Sequence, residues 1–224
     1  QSDFSNASAQ YQAFIEQFPG SEKIDAAYYE LGQTFYGMGS LEQALNAFHQ
    51  VTDANSDIFA KARLAVADIF SQDADSRQAV ESYRKIADGI PDYRRDALVK
   101  IAKIAVQRDD VQEALTAYQE ALDAGKGRSG ISDAELIFAA ADLYELQNQH
   151  QRAVEEYLKI PYLHQEETVW VIRAYLRAAR ILENSENWDE AAVAYEKVIA
   201  LDAEESAYAR ERLDEIQSYV QGKH

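Results

Sequence analysis

Apolar residues in this chain recur at helical spacing, broken every fifteen to twenty residues by a short polar stretch. In YYELGQTFYGMGSLEQALNAF, residues 28–48, a run of good helix formers contains Gly32, is interrupted by Gly37 and Gly39, and resumes with Ala44 and Phe48. The alanine–aromatic pair recurs as Ala79–Tyr83, Ala114–Tyr118, Ala153–Tyr157 and Ala191–Tyr195, with successive alanines 35, 35, 39 and 38 residues apart. Twelve positions before each alanine stands a small residue: Gly32, Ala67, Ala102, Ala141 and Ala179. Three positions after each of these come Phe35, Phe70, Ala105, Tyr144 and Leu182.

Residues four apart share a helix face, so each alanine–aromatic pair marks the buried side of a second helix. The small residue marks a first helix whose backbone must approach that second helix closely. Between the two lie GMGS, SQDADS, VQRDD, QNQH and ENSEN. Each supplies a start at capping-box spacing: Ser40–Gln43, Asp75–Gln78, Asp110–Glu113, Asn148–Gln151 and Asn187–Glu190. Gly37 and Gly39 are expected to end the first helix so that Ser40 can begin the second. A fixed period in this range predicts an all-α chain, a right-handed α-solenoid of helix-turn-helix repeats.

The boundaries follow from the same pattern. One array, 1–224, comprises a half repeat at 6–20, full repeats at 22–55, 57–91, 92–125, 131–162 and 166–203, and a capping helix at 205–220. Ala7, Tyr11 and Phe14 reproduce second-helix spacing, but too few residues precede them for a first helix. An upstream partner helix is therefore expected to have been removed or replaced by a short segment, and a chain opening on Gln1 reads as a piece of something longer. At the other end Ala209, Leu213, Ile216 and Val220 form an apolar stripe among Glu211, Arg212, Asp214 and Glu215, as a terminal cap requires. Pro161 should end its helix early, and the first helix that follows, near 166–183, should be longer than its equivalents.

Small residue, alanine, aromatic and the proline at Pro91, twelve after Ala79, together resemble the tetratricopeptide repeat. YQAFIEQFPGSEKIDAAYYELGQTFYGMGSLEQALNAF also resembles bacterial cell-envelope members of that family, of the Tol–Pal-associated and outer-membrane assembly type. The first resemblance implies a protein-binding scaffold. The second favours a periplasmic or cell-envelope location over a cytoplasmic one.

Composition narrows the function. A net charge of −17 disfavours nucleic acid and anionic lipid as partners, and no apolar run is long enough to cross a membrane. Without cysteine there is neither disulfide nor thiolate site. His49, His150, His164 and His224 fall in different units without metal-ligand spacing, and no nucleophile elbow or zinc motif occurs. The expectation is a protein that is not an enzyme, with no catalytic residue, metal or cofactor. The connection DAGKGRSGISDAE, 123–135, lacks a Walker motif and reads as a flexible loop closed by a Ser132–Glu135 cap, its basic residues offering a contact on an acidic protein.

Binding is the remaining chemistry. Residues one turn from each small residue should face the concave side: Tyr29, Gln33 and Tyr36, then Leu64 and Asp68, Val99 and Lys103, Phe138 and Asp142, and finally Arg173, Arg177 and Arg180. The aromatic set could clasp a peptide or partner helix, or simply pack on the next unit. The arginines lie at i, i+4 and i+7 and could take up an acidic segment, or be neutralised by Glu135, Asp142 and Glu145. Part of this spacing resembles the carboxylate clamp of chaperone-binding family members, but Val99, Lys103 and Ala139 occupy positions that clamp would need, so chaperone tails are not expected. The other reading is a spacer or assembly domain of a larger protein, self-associating through Ala7, Tyr11 and Phe14.

Overall fold

The computed structural model describes residues 2–54, 56–72, 76–128 and 130–222. Among these, twelve α-helices and one 3₁₀ turn, Pro91–Tyr93, account for all regular structure, and there is no strand. The cap position Asp75, Ser129 of the long connection and His224 lie outside the described residues.

The chain divides into two compact units, Gln1–Ser129 and Gly130–His224. The first contains α1 (Ser2–Gln17), α2 (Ile24–Gly37), α3 (Leu41–His49), α4 (Asp57–Phe70), α5 (Arg77–Gly89), α6 (Arg94–Gln107) and α7 (Val111–Asp123). The second contains α8 (Asp133–Leu146), α9 (His150–Leu163), α10 (Thr168–Asn184), α11 (Trp188–Ala200) and α12 (Ser206–Gly222). In each unit every helix packs on the next in sequence across a short turn. Each unit is thus a stretch of α-solenoid built from antiparallel helix pairs.

The repeating residues are its core. Ala44, Ala79, Ala114, Ala153 and Ala191 are inaccessible to solvent, and Phe48, Tyr83, Tyr118, Tyr157 and Tyr195 are buried beside them. Ala67, Ala102, Ala141 and Ala179 are sealed as well, and a Cβ on Gly32 would fall 2.5 Å from the ring of Phe48, closer than atoms in contact allow.

Four of the tight turns share one construction. Gly39, Asp109, Asn148 and Glu186 adopt left-handed backbone, with φ of +75°, +56°, +58° and +60°. The N–H of the next residue donates to the carbonyl of Phe35, Ala105, Tyr144 and Leu182 respectively, at 2.9 Å in every case. This closes the first helix in a Schellman motif. It is accompanied by a difference from the expected capping boxes. The N-cap residues Ser40, Gln149 and Asn187 are held at ψ of 69°, 58° and 66°, and their side chains make no cap bond. Ser56 and Ser132, free of that constraint, take extended ψ of 147° and 163° and do accept the N–H of Phe59 and Glu135. Among the tight turns only Asp110 reaches its N3 amide, at 3.0 Å. Asn148 is not the cap of α9; it fills the left-handed position and Gln149 follows as N-cap.

Because a Cβ is disfavoured in left-handed backbone by about 1–2 kcal/mol, Glu186→Gly should stabilise the second unit. Glycine's extra freedom in the unfolded chain returns part of that gain, leaving about 0.5–1 kcal/mol. A rise in urea midpoint at unchanged slope is the expected reading, and a fall would contradict the assignment.

Other expectations change in detail. Gly37 is the last helical residue of α2, with Met38 as its C-cap and Gly39 taking the left-handed turn, and a Cβ on Gly37 would sit 3.2 Å from the ring of Phe4 on α1. α9 continues through Pro161 to Leu163, because a proline in the last turn forfeits little, and the N–H of His164 still reaches Ile160 O at 2.8 Å. α10, with 17 residues against 14 in α2, α4, α6 and α8, is longer as expected. On α12 the apolar stripe is turned inward, but Arg212 turns in with it. On α1 the packed positions are Tyr11 and Ile15, with Ala7 and Phe14 half-buried, and the open apolar side chains are Phe4 and, just past the helix, Phe18, 45% and 49% exposed.

The connection after α7 is anchored among its described residues, not loose. Arg95, buried on α6, donates to Gly125 O at 2.7 Å and Ala121 O at 3.2 Å. Arg128 pairs with Asp92 at 2.9 Å and Asp57 at 3.3 Å, lies over the Tyr93 ring, and its N–H donates to Asp96 at 2.9 Å. Burial pushes the Tyr93 hydroxyl up to about 12, so it stays protonated as donor to Asp57 at 2.5 Å. The guanidinium that made this loop a candidate contact is already engaged.

Candidate functional site

The face of the first helices is where the sequence placed a binding surface. In the first unit, the Gln33 amide donates to the Tyr29 hydroxyl at 3.0 Å, and the Tyr29 ring lies 5.8 Å from that of Phe48. Tyr29 is therefore half packing residue, half surface. Tyr36 is exposed, and its hydroxyl accepts from the Gln72 amide at 2.5 Å. On α4, Asp68 accepts the Tyr83 hydroxyl and pairs with Lys100 of α6 at 2.8 Å. Leu64 is half-buried. Val99 is 2% exposed and so belongs to the core, not to a surface. Its neighbour Lys103 is exposed with no ionic partner among the described residues.

In the second unit Phe138 is enclosed by aromatic neighbours, 5.0 Å from Tyr157 and 5.3 Å from Trp170. Asp142 accepts the Tyr157 hydroxyl, which is also 2.9 Å from Glu145. Arg177 of α10 lies 3.6 Å from Asp142 and 3.4 Å from Glu145, so neutralisation is what this residue does; Glu135 takes no part. Arg173 is exposed and sits over the Trp170 ring at 4.9 Å. Arg180 is exposed with no ionic partner among the described residues.

One arrangement therefore recurs three times. A buried second-helix tyrosine donates to a carboxylate on its own first helix, and that carboxylate pairs with a cation on the following helix of the same face. The members are Tyr83–Asp68–Lys100, Tyr157–Asp142/Glu145–Arg177 and Tyr195–Glu183–Arg212, the last with a 2.8 Å hydroxyl bond. Burial and the adjoining carboxylates raise all three tyrosines well above their ordinary range, so each remains a donor. Sequence reading missed Lys100, Glu183 and Arg212 in this role. The signal was present: a carboxylate 15 or 12 residues before the tyrosine, and a cation about thirty after the carboxylate.

The pH dependence follows. Burial raises the Asp142 carboxyl, with Tyr157 and Arg177 opposing it. A raised carboxyl favours the fold while protonated and loses that contribution as pH rises through its folded value. Removing Arg177 raises it further. Arg177→Gln should therefore cost about 1 kcal/mol at pH 7, the pair being partly exposed, and nearly nothing at pH 3. Adding Asp142→Asn should return most of the loss at pH 7, read from urea unfolding at both pH values. A cost equal at the two pH values would contradict the electrostatic origin.

Among the described residues one histidine stands in a possible ligand group. His164 lies with Glu166 and Glu167 in the turn before α10, their ligand atoms within 4.8 Å of one another, which sequence spacing did not suggest. His164 Nδ1 is 3.9 Å from Glu167, and solvent-facing acidic turns of this kind commonly exist without an ion, so no metal is assigned.

A family model described as tetratricopeptide repeat matches residues 29–94 and 99–164, and a second of the same description matches 172–205. The chain belongs to the tetratricopeptide repeat family. No curated protein sequence matches it. Among solved structures, the C-terminal part of a TPR repeat-containing protein from Cytophaga hutchinsonii is similar at TM-score 0.67 and 15% identity, over 97% of this chain and 81% of that one. MamA is similar at TM-score 0.59 and 19% identity, over 84% and 97%. YrrB, described as a TPR protein with an unusual peptide-binding site, is similar at TM-score 0.55 and 14% identity, over 90% and 99%. At such identities these likenesses speak for the tetratricopeptide fold alone. No helix among the described residues is long and apolar enough to cross a membrane.

Proposed function

We propose that this tetratricopeptide array is a non-enzymatic scaffold that holds an acidic peptide or partner helix on the first-helix face of its units. The observation carrying it is what remains after internal pairing. In a chain of net charge −17, Arg173 and Arg180 stand exposed seven residues apart on α10 with no carboxylate partner among the described residues. Asp68, Asp142 and Arg177 hold the array together. Tyr36, Gln33, Lys103 and the open edge of Tyr29 supply the contacts on the first unit, and Phe138 shapes the surface under Trp170 rather than touching a ligand. The peptide-binding description attached to YrrB supports this mode of action.

The test is a display library of acidic and neutral peptides, selected on the protein and then measured against Arg173→Glu/Arg180→Glu with helicity checked by circular dichroism. Loss of at least tenfold in affinity for the acidic peptides supports the reading. Equal binding by both proteins sinks it.

A second reading, a spacer or assembly domain of a larger bacterial-envelope protein, is favoured by one observation: Phe4 on α1 and Phe18 just after it lie open. Concentration-dependent self-association in sedimentation equilibrium, lost in Phe4→Ser/Phe18→Ser, would support it; a monomer at every concentration would end it.

A further inference from the structure

Among the second helices, α3 is the odd one. It has 9 residues where α5, α7, α9 and α11 have 13 or 14, and so is about 6 Å short at 1.5 Å per residue. Residues 50–54, which follow it, are not helical, so no further turn of α3 lies against α4 and α5. A cavity of about 540 Å³ opens there, bounded by the end of α3, by α4 and by the last two turns of α5. Phe59, Val66, Phe70 and Ile86 form its apolar wall.

Arg63 projects into the same space. It is half-buried, its guanidinium carbon 4.5 Å from the centre of the Phe59 ring and one Nη donating to Val51 O at 3.3 Å. No carboxylate among the described residues pairs with it, although the chain carries 39 acidic side chains. Burial lowers the pKa of this guanidinium, the sign of a charge whose lost hydration has not been repaid. Arg177, half-buried like Arg63, is matched to a carboxylate, as is Lys100, and Lys103, Arg173 and Arg180, which have none among the described residues, are exposed to water. An apolar wall with a single unneutralised fork of donors suits a ligand with an apolar body and one planar anionic end.

We propose that the cavity between α3, α4 and α5 binds a small apolar carboxylate, an alkyl or aryl acid of about ten carbons, its body against Phe59, Val66, Phe70 and Ile86 and its carboxylate on Arg63. The size favours a small molecule over a protein segment: the space is walled on three sides by one unit, and is not an open apolar strip. The site is separate from the first-helix surface, so its fate does not depend on the peptide-binding reading.

The experiment is isothermal titration of the whole chain with decanoate, decanol and decyltrimethylammonium. Decanoate should bind at least tenfold more tightly than decanol, and the cation should not bind. Arg63→Gln should remove the advantage of decanoate over decanol. Gly89 lines the cavity and a Cβ there meets nothing within 4 Å, so Gly89→Leu adds bulk at the cavity without displacing the fold and should weaken all binding seen in the wild type. Decanoate binding no tighter than decanol overturns the proposal, as does binding unaltered in Gly89→Leu. A hexapeptide ending in two leucines with a free carboxylate that binds more tightly than decanoate would overturn the small-molecule assignment.

Discussion

Tyr157→Ala should destabilise the second unit by about 3–5 kcal/mol, the range for removing a fully buried aromatic side chain. Two losses combine. The ring is inaccessible and packs edge-on against Phe138, so its removal leaves a cavity between α8 and α9. The hydroxyl serves Asp142 and Glu145 together, and its removal leaves two carboxylates facing Arg177 alone. Tyr157→Phe separates the terms. It keeps the ring, and should cost about 1–3 kcal/mol for the carboxylates left short of a donor. Both tryptophans, Trp170 and Trp188, lie in the second unit, so urea unfolding followed by tryptophan fluorescence reports on that unit directly. Stability in such arrays is a sum of unit and nearest-neighbour terms. A phenylalanine variant as stable as wild type would show that the tyrosine–carboxylate–cation arrangement is decoration on an apolar core.

How much of this was readable in advance depended on how local the cause was. The alanine–aromatic pairs, the small residues twelve positions earlier and the inward stripe of α12 were legible because a close helix contact tolerates only small side chains on one partner. The Ser132 and Asp110 caps were legible for the same reason, a bond spanning three residues. At Ser40 and Asn187 the N–H is given to the helix before, so the reciprocal half of a capping box has no donor there, and of the residues so placed only Asp110 still reaches its N3 amide. Val99 was misplaced by one helical step, since α6 is covered on more sides than α2. Arg177 and Arg173 are identical in sequence terms; only the approach of α8 to α10 distinguishes the paired arginine from the exposed one. Arg63 gave no signal at all. Its interest comes from α3 ending one turn early, and a missing turn leaves no motif.

Gly32 can be tested where that logic is tightest. A Cβ built on it would lie 2.5 Å from Cε1 of Phe48, 2.6 Å from Cδ1 and 2.9 Å from Cζ. The ring has nowhere to retreat: Phe48 is 1% exposed and Tyr29 stands 5.8 Å away on the other helix. For alanine, overpacking of about 1–3 kcal/mol is partly offset by about 1 kcal/mol of helix propensity gained over glycine. Valine adds two methyl groups to the same clash, and its branched side chain recovers less propensity. Gly32→Val should therefore lower the stability of the first unit by about 3 kcal/mol. Tryptophan fluorescence would be blind to this, so the loss should appear in far-ultraviolet circular dichroism as an early transition while the fluorescence midpoint stays in place. The decisive arm is Gly32→Val combined with Phe48→Leu. If the glycine exists to admit the ring, the smaller side chain makes room for valine, and the pair should be less damaged than the two single costs predict, by about 1 kcal/mol or more. Strictly additive costs would mean that Gly32 serves backbone conformation instead, and that the close approach of α2 to α3 is not what the repeat selects at this position.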